Sequence, residues 1–262
     1  HGILLGMTRL GSLNRFFVDP SAISSGRVVF PLELSRQIHK VLRLDVQADQ
    51  VLVLDNSGKS YLVQLAGWQG KTLTGKILET YLPEQEERLE LELAFSLTRR
   101  EKITWILQKG TELGVTRFRP YVAARSLDRN LQPEKSRMLR WQAIIREAAE
   151  QSRRERLAEI EAPSTFADML KVVPQDGLKL IAWEEANPQQ QLSAGFLTQI
   201  SAEPTRLVSV LIGPEGGFSP EEVALAEGFG FIQFSLGRRT LRMETACLAA
   251  CAILTNLFEN QA

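Results

Sequence analysis

The chain reads Leu211-Ile212-Gly213-Pro214-Glu215-Gly216-Gly217-Phe218-Ser219-Pro220-Glu221-Glu222 at a point where an apolar, strand-like run gives way to a helix. The three glycines permit positive φ angles and a close approach of the main chain to a ligand. Ser219 is predicted to cap the helix, with Pro220 at the first helical position and Glu222 completing a capping box. Open α/β sheets bind ligands at such strand-to-helix loops. The alternative is a tight turn that only restarts the helix.

A second stretch has the same setting. It reads Leu236-Gly237-Arg238-Arg239-Thr240-Leu241-Arg242-Met243-Glu244-Thr245-Ala246, follows a short apolar run and leads into an apolar helix. Arg242 stands between two apolar residues just before that helix, which indicates contact with an anion. Glu244 lies in the first helical turn, where a carboxylate also stabilises the helix dipole. Helix stabilisation is therefore the alternative to a catalytic role for Glu244.

The kind of ligand follows from the chemistry of these loops. No Lys-Ser or Lys-Thr pair follows the glycines, so the phosphate-binding P-loop pattern is missing. The carboxylate of Glu215 would also repel a phosphate. A ligand with hydroxyls, an adenine edge and a positive charge fits better, and S-adenosylmethionine has all three.

The two loops together resemble the ribosomal RNA small subunit methyltransferase E family of the SPOUT superfamily. The resemblance extends to four further segments, Arg15–Val18, His39–Arg43, Leu107–Val115 and Arg146–Ser152. It implies transfer of a methyl group from S-adenosylmethionine to N3 of a single uridine in 16S rRNA, near the decoding centre, by a homodimer. It also implies an α/β fold in which a C-terminal, trefoil-knotted SPOUT domain with a mostly parallel sheet follows a small PUA-like β-barrel. The knot is expected from the resemblance alone, because ordinary chain connections are almost never knotted.

The pattern along the chain agrees with two domains. Short strand-like runs separated by turns are typical of a small barrel, and the later alternation of strands and helices predicts a mostly parallel sheet. The expected organisation is a cloning remnant at residues 1–6, a PUA-like RNA-binding barrel at 7–82, a linker at 83–90 and the methyltransferase domain at 91–262. Predicted strands are 28–30, 50–55, 61–66, 72–78, 89–96, 117–122, 178–183, 207–212 and 231–234. Predicted helices are 35–42, 99–113, 134–152, 220–228 and 244–259.

The resemblance and the loop chemistry together assign the site. The main chain of both loops is expected to enclose adenine and ribose. The expected cofactor-binding residues are Ile212, Gly213, Pro214, Glu215, Gly216, Gly217, Leu236, Gly237, Leu241, Arg242, Met243 and Ala246. Arg242 and Glu244 are the expected catalytic residues, with Arg242 stabilising negative charge on the uracil or holding a neighbouring phosphate. The general base is open between Glu215, Glu244 and hydroxide.

Charge is unevenly distributed although the net charge is zero. Residues 99–156 carry 15 basic and 7 acidic side chains, whereas residues 157–262 carry 6 and 13. A basic segment ahead of an acidic cofactor-binding end suits a protein that holds RNA. The expected RNA-binding residues are Arg15, Arg125, Arg129, Arg146, Arg153 and Arg154. The alternative is that these arginines belong to solvated helix faces.

Other chemistries are disfavoured by what the chain lacks. Apart from His1, the only histidine is His39, which argues against histidine-based catalysis and histidine–metal sites. Cys247 and Cys251 lie four residues apart on an apolar helix and are expected to pack in the core, so no metal is expected. The apolar stretches are too short for a membrane span, and a cytoplasmic protein is expected. The alternatives are a related 2′-O-ribose rRNA or tRNA methyltransferase, a non-catalytic RNA-binding protein and a nucleotide-using α/β enzyme.

Overall fold

A computed structural model describes residues 13–82, 89–200 and 206–259. The predicted remnant at 1–6 and residues 83–88 of the predicted linker lie outside the described residues. The chain divides into two compact units, His1–Glu86 with Ala149–Leu157, and Glu87–Ala148 with Ala158–Ala262. No helix within the described ranges has the length and hydropathy that crossing a bilayer requires.

The first unit is built on a six-stranded sheet. Its strands are β1 (Arg15–Phe17), β2 (Ile23–Ser24), β3 (Arg27–Val29), β4 (Gln50–Leu54), β5 (Ser60–Gln69) and β6 (Thr72–Tyr81), in the order β1-β4-β5-β6-β3-β2. Only the β1–β4 pair is parallel. A 3-10 turn (Pro20–Ala22), helix α1 (Leu32–Arg36) and a π-helical turn (Gln37–Val41) complete the described elements. The helix predicted at 35–42 is therefore found as a continuous helical segment over 32–41, whose second half is π-helical. Closure of the sheet into a barrel stays a prediction.

Phe16 and Phe17 sit on opposite faces of β1, because successive side chains of a strand alternate. Phe16 packs in the main core of this unit with Val53 and Val63. Phe17 packs with Leu54 and Ala149 instead. Its main-chain N–H also donates to Glu150 Oε1 at 3.0 Å, so part of the segment 149–157 is held against this sheet.

The second unit is an α/β layer structure with an entirely parallel sheet, which confirms the predicted class. Its strands are β7 (Glu90–Ser96), β8 (Val115–Val122), β9 (Glu159–Ile160), β10 (Ser164–Thr165), β11 (Leu178–Ala182), β12 (Leu207–Ile212) and β13 (Ile232–Phe234). The order is β10-β8-β7-β12-β11-β13, with β9 also beside β8. Its helices are α2 (Arg100–Glu112), α3 (Lys135–Gln151), α4 (Phe166–Val172), α5 (Ala194–Ile200), α6 (Pro220–Gly228) and α7 (Met243–Glu259), with a 3-10 turn at Pro188–Gln190. The last three residues of α3 group with the first unit.

Hydrophobic cores cover both faces of this sheet, as the continuous apolar strands require. Leu93 faces the core that contains residues of α2 and α7. Ala94, the next residue, faces the core that contains residues of α4 and α6. Cys247 and Cys251 of α7 are fully buried free thiols in the first of these cores, so their predicted packing role is confirmed.

Candidate active site

The carboxyl ends of β7, β8, β11, β12 and β13 open onto one cavity of about 640 Å³. This is the sheet edge at which parallel α/β structures bind ligands, and the volume lies within the usual range for small-molecule sites. The cavity is lined by Arg99, Lys102, Leu127, Ala182, Trp183, Glu184, Ile212, Gly213, Pro214, Glu215, Gly217, Phe218, Ser235, Leu236, Gly237, Arg238, Arg239, Thr240, Leu241, Arg242, Met243 and Ala246. The structure therefore brings the two predicted loops together around a single space.

The predicted cofactor residues lie in this wall with one exception. Gly216 is not part of the lining, and its carbonyl instead accepts a hydrogen bond from Arg125 Nη1 at 2.7 Å. Glu244, predicted to be catalytic, also lies outside the lining.

The glycines of the first loop serve different purposes. Of the three glycines, only Gly217 uses the positive φ that glycine permits, with a value of 69°. Gly213 and Gly216 are instead closely packed. A Cβ on Gly213 would lie 2.9 Å from the Phe218 ring, and one on Gly216 would lie 3.2 Å from the Arg125 side chain. Packing therefore requires a small residue at Gly213, whereas a slight shift of the exposed Arg125 side chain would make room at Gly216.

Both ends of the first loop are anchored. Ser219 Oγ accepts from the Glu222 N–H at 3.2 Å, and Glu222 Oε2 accepts from the Ser219 N–H at 3.0 Å, which confirms the predicted capping box. At the other end, the hydroxyl of fully buried Tyr121 donates to the Ile212 carbonyl oxygen at 2.6 Å. The intervening residues thus run between two fixed points.

Lys102 joins the two loops electrostatically. Its Nζ lies 2.9 Å from Glu215 Oε1 and 3.0 Å from Glu244 Oε2. Glu215 Oε1 also accepts a hydrogen bond from Thr98. Glu244 Oε2 is buried and accepts no hydrogen bond from the described residues, so its contact with Lys102 is one of charge alone.

The protonation states follow from these contacts. Burial alone would raise the pKa of Glu215, but the hydrogen bonds from Thr98 and Lys102 outweigh it and lower that pKa. Burial would likewise lower the pKa of Lys102, but the two carboxylates outweigh it and raise that pKa. At neutral pH Lys102 and Glu215 are therefore both charged.

The second loop combines an apolar wall with exposed cations. Leu241 is half-buried and Met243 is buried at the beginning of α7. Arg238, Arg239 and Arg242 are exposed along the same loop. Such a wall can pack on an adenine ring and attract anionic groups. Of the two carboxylates in the lining, Glu215 already pairs with Lys102, which leaves Glu184 to face a positive charge.

A third segment, which the sequence reading missed, completes the cavity. Trp183 and Glu184 follow β11, and the Trp183 N–H donates to the Phe234 carbonyl at 3.1 Å. Farther along, Ser235 exchanges main-chain hydrogen bonds with residues 190 and 192. The apolar strand β11 was predicted from the sequence. Because Trp183 and Glu184 follow its carboxyl end, that position could have indicated that they line the site.

The predicted RNA-binding arginines are distributed over both units. Arg125, Arg129 and Arg146 are exposed in the second unit. In the first unit, Arg15 Nη1 donates to the Arg153 carbonyl at 3.1 Å. Arg153 is exposed and the adjoining Arg154 is half-buried. Their role in RNA binding stays a prediction.

Other chemistries find no support in the described part of the chain. No group of three or more His, Cys, Asp or Glu side chains there could hold a metal ion. His39 is exposed and its ring packs edge-on against Trp68, with centroids 5.3 Å apart. The predicted packing or surface role of His39 is therefore confirmed.

Comparisons with known proteins agree on one family. The family described as an RNA methyltransferase domain matches residues 85–255. Ribosomal RNA small subunit methyltransferase E of Synechocystis sp. is 34% identical over 94% of this chain and 78% of its own length. The Bacillus subtilis protein of the same name is 30% identical over 83% of this chain and 85% of its own length. Among solved structures, that of ribosomal RNA small subunit methyltransferase E from Neisseria gonorrhoeae bound to S-adenosyl methionine has a TM-score of 0.80 and 29% identity. It covers 94% of this chain and 98% of its own.

Proposed function

Because this chain belongs to the ribosomal RNA small subunit methyltransferase E family, we propose that it methylates N3 of a specific uridine in the 16S rRNA of the small ribosomal subunit. The observation that carries the proposal is the cavity between residues 212–217 and 235–243, at the carboxyl ends of parallel strands. The methyl donor is S-adenosylmethionine, in keeping with the similar structure that contains it.

The residues of the cavity suit this donor. Leu236, Leu241 and Met243 offer apolar contact for adenine, and the loop around Gly217 brings main chain to the cavity surface. Glu184 contributes a carboxylate toward a positively charged ligand, whereas that of Glu215 is already paired with Lys102. When bound, the donor supplies an electrophilic methyl group.

The reaction also requires the protein to position the uracil and to accommodate loss of its N3 proton. Arg242 lies on the cavity wall without an ion pair to any described residue. We assign it to the negative charge that develops on the uracil oxygens, a role that contributes about 3 kcal/mol in comparable sites. The lowered pKa of Glu215 makes it a weaker base. That leaves Glu244 and hydroxide as candidates to accept the proton.

The finer features of the fold are part of the proposal. We propose that the first unit is a PUA-like barrel and the second unit a knotted domain. The expected bounds of 7–82, 83–90 and 91–262 need adjustment, because Glu90 already belongs to β7 and Ala149–Leu157 group with the first unit. The knot is proposed on the family resemblance. A homodimer that acts in the cytoplasm, where ribosomal subunits assemble, is likewise proposed on the family resemblance.

A methyl-transfer assay tests the function. The protein is incubated with isotopically labelled S-adenosylmethionine and small subunits that lack the modification, and the labelled nucleoside is identified by mass spectrometry. Methyl on uracil N3 is the expected result. Methyl on the ribose 2′-oxygen would show a 2′-O-methyltransferase, and RNA binding without transfer would show a non-catalytic binding protein.

A glycine variant and a matched control test the cofactor site. Gly217→Val places a β-branched residue at a φ of 69°, with its Cβ 3.1 Å from Glu184 Oε1, and should abolish calorimetric binding of S-adenosylhomocysteine. Gly228→Val, at the end of α6, introduces a Cβ with nothing within 4 Å and should bind normally. Retained binding by Gly217→Val, or equal binding of ATP by the unaltered protein, would refute the site.

A further inference from the structure

A second cavity, of about 700 Å³, lies beside the active-site cavity in the same unit. Arg99 and Leu127 line both cavities, so the two share a wall. None of the six predicted RNA-binding arginines lines the second cavity.

Its lining is strongly basic. Arg99, Arg100, Arg137 and Arg140 all contribute, against one carboxylate, that of Asp128. Asp128 is already neutralised, because its Oδ2 lies 2.6 Å from Arg137 Nη2.

The other three guanidinium groups are not neutralised by the described residues. Arg99 and Arg100 are exposed and have no acidic partner. Arg140 is half-buried and donates only to the neutral hydroxyl of Thr104, at 3.3 Å. Three like charges around one concave surface repel one another unless an anion is bound.

The beginning of α2 adds to this preference. Arg99 is the N-cap of that 13-residue helix and makes no side-chain capping hydrogen bond. The first N–H groups of a helix attract anions, and phosphate above all, when no side chain caps them. Arg137 lies over the ring of buried Trp141, with its guanidinium carbon 4.9 Å from the ring centroid.

We propose that this second cavity binds phosphodiester groups of the RNA strand that presents its target base to the neighbouring active site. This inference rests on the proposed function, since it takes the substrate to be RNA. Guanidinium groups are the side chains best suited to phosphate, because they can donate two hydrogen bonds to one anion. The shared wall at Leu127 would place the strand beside the methyl-donor site.

The test is a double variant, Arg100→Ala with Arg140→Ala. Its KM for small subunits lacking the modification is measured at increasing KCl, together with kcat and the affinity for S-adenosylhomocysteine. We expect KM to rise about tenfold and the slope of log KM against log salt to decrease by roughly 1 to 2, as loss of one or two phosphate contacts requires. The value of kcat and the affinity for S-adenosylhomocysteine should stay within twofold of the unaltered protein.

Two further variants separate a phosphate site from a structural role. Arg100→Lys with Arg140→Lys keeps the charges, so the salt slope should be retained while KM rises only partly. Lys171→Ala removes an exposed cation from α4, on the other face of the sheet, and should change neither quantity. An unchanged KM and salt slope in the double alanine variant would overturn the proposal.

Direct binding distinguishes failure of this inference from failure of the proposed function. If the unaltered protein transfers no methyl group, its retention of small subunits on filters is measured over the same salt range. If the double alanine variant is retained more weakly and with less salt dependence than the unaltered protein, phosphodiester binding by the second cavity is supported even though the proposed reaction has failed. Equal retention of both proteins would refute it.

Discussion

Replacing Lys102 by methionine tests whether one ammonium group holds the two active-site loops together. The substitution keeps the length of the side chain and removes the charge that lies 2.9 Å from Glu215 and 3.0 Å from Glu244. The three side chains are 18–25% exposed. Their contribution therefore lies between that of a surface pair, up to about 1 kcal/mol, and the roughly 3–5 kcal/mol lost when a buried pair is broken.

We expect Lys102→Met to lower the free energy of unfolding by about 2 kcal/mol. For a chain of this size the melting temperature should fall by about 6 °C. Without the Lys102 ammonium, binding must also order the two active-site loops. Affinity for S-adenosylhomocysteine should therefore fall roughly tenfold, which corresponds to about 1.4 kcal/mol of binding free energy. Thermal unfolding followed by circular dichroism and titration calorimetry measure the two effects.

The shifted pKa values also predict how the difference in unfolding free energy between Lys102→Met and the unaltered protein depends on pH. The pKa of Glu215 is lowered from 4.5, so its stabilisation is fully present above pH 4.5 and is lost as the pH falls through the lowered value. The pKa of Lys102 is raised from 10.5, so its stabilisation is present below pH 10.5 and is lost as the pH rises through the raised value. The difference in unfolding free energy between Lys102→Met and the unaltered protein should be constant near neutral pH and should become smaller in acid.

A matched control lies on the same helix. Lys109 pairs with Glu112 at 2.8 Å, with both side chains 33% exposed, and Lys109→Met should cost about 0.5 kcal/mol. Equal melting temperatures and equal S-adenosylhomocysteine affinities for Lys102→Met and Lys109→Met would refute the electrostatic bridge.

Three further results are expected. Arg242→Ala should lower kcat about 100-fold, equivalent to about 3 kcal/mol, and leave S-adenosylhomocysteine affinity within twofold; unchanged kcat would remove Arg242 from the reaction. Gly110→Ala places a Cβ 2.8 Å from the Phe118 ring and should cost about 2 kcal/mol in urea unfolding, whereas Gly195→Ala, with nothing within 4 Å, should cost less than half of that. Burial raises the pKa of Cys251 to about 12, so iodoacetamide at pH 8 should label neither cysteine until the protein is unfolded; labelling of the folded protein would contradict the burial.

The regular elements of the second unit were largely predictable from sequence. The strand 207–212 and the helix 220–228 were predicted with the bounds that the structure has, since a continuous apolar run and a capping box are both local signals. Strand β1 was missed, because three residues carry little periodicity and its partner β4 lies 35 positions away. Helices α4 and α5 were also missed; each has only seven residues.

The site was predictable to the extent that it is contiguous in sequence. Both loops were found from their own residues, whereas Lys102 and Trp183 come from segments that only the strand order brings to the cavity. The packing constraint at Gly213 was not predictable, because it comes from the Phe218 ring five residues later and no local rule expresses such packing. The basic second cavity was likewise hidden, since its arginines belong to two helices whose approach depends on the fold.

The buried hydroxyl of Tyr121 determines where the first loop can bend. Because its hydrogen bond to the Ile212 carbonyl oxygen is short and shielded from water, breaking it would leave two polar groups unsatisfied. We therefore expect any rearrangement of this loop to begin at Gly213, the residue after the hydrogen-bonded Ile212. Strand β12 should keep its position, and conformational change should be confined to residues 213–218, before the capped helix α6.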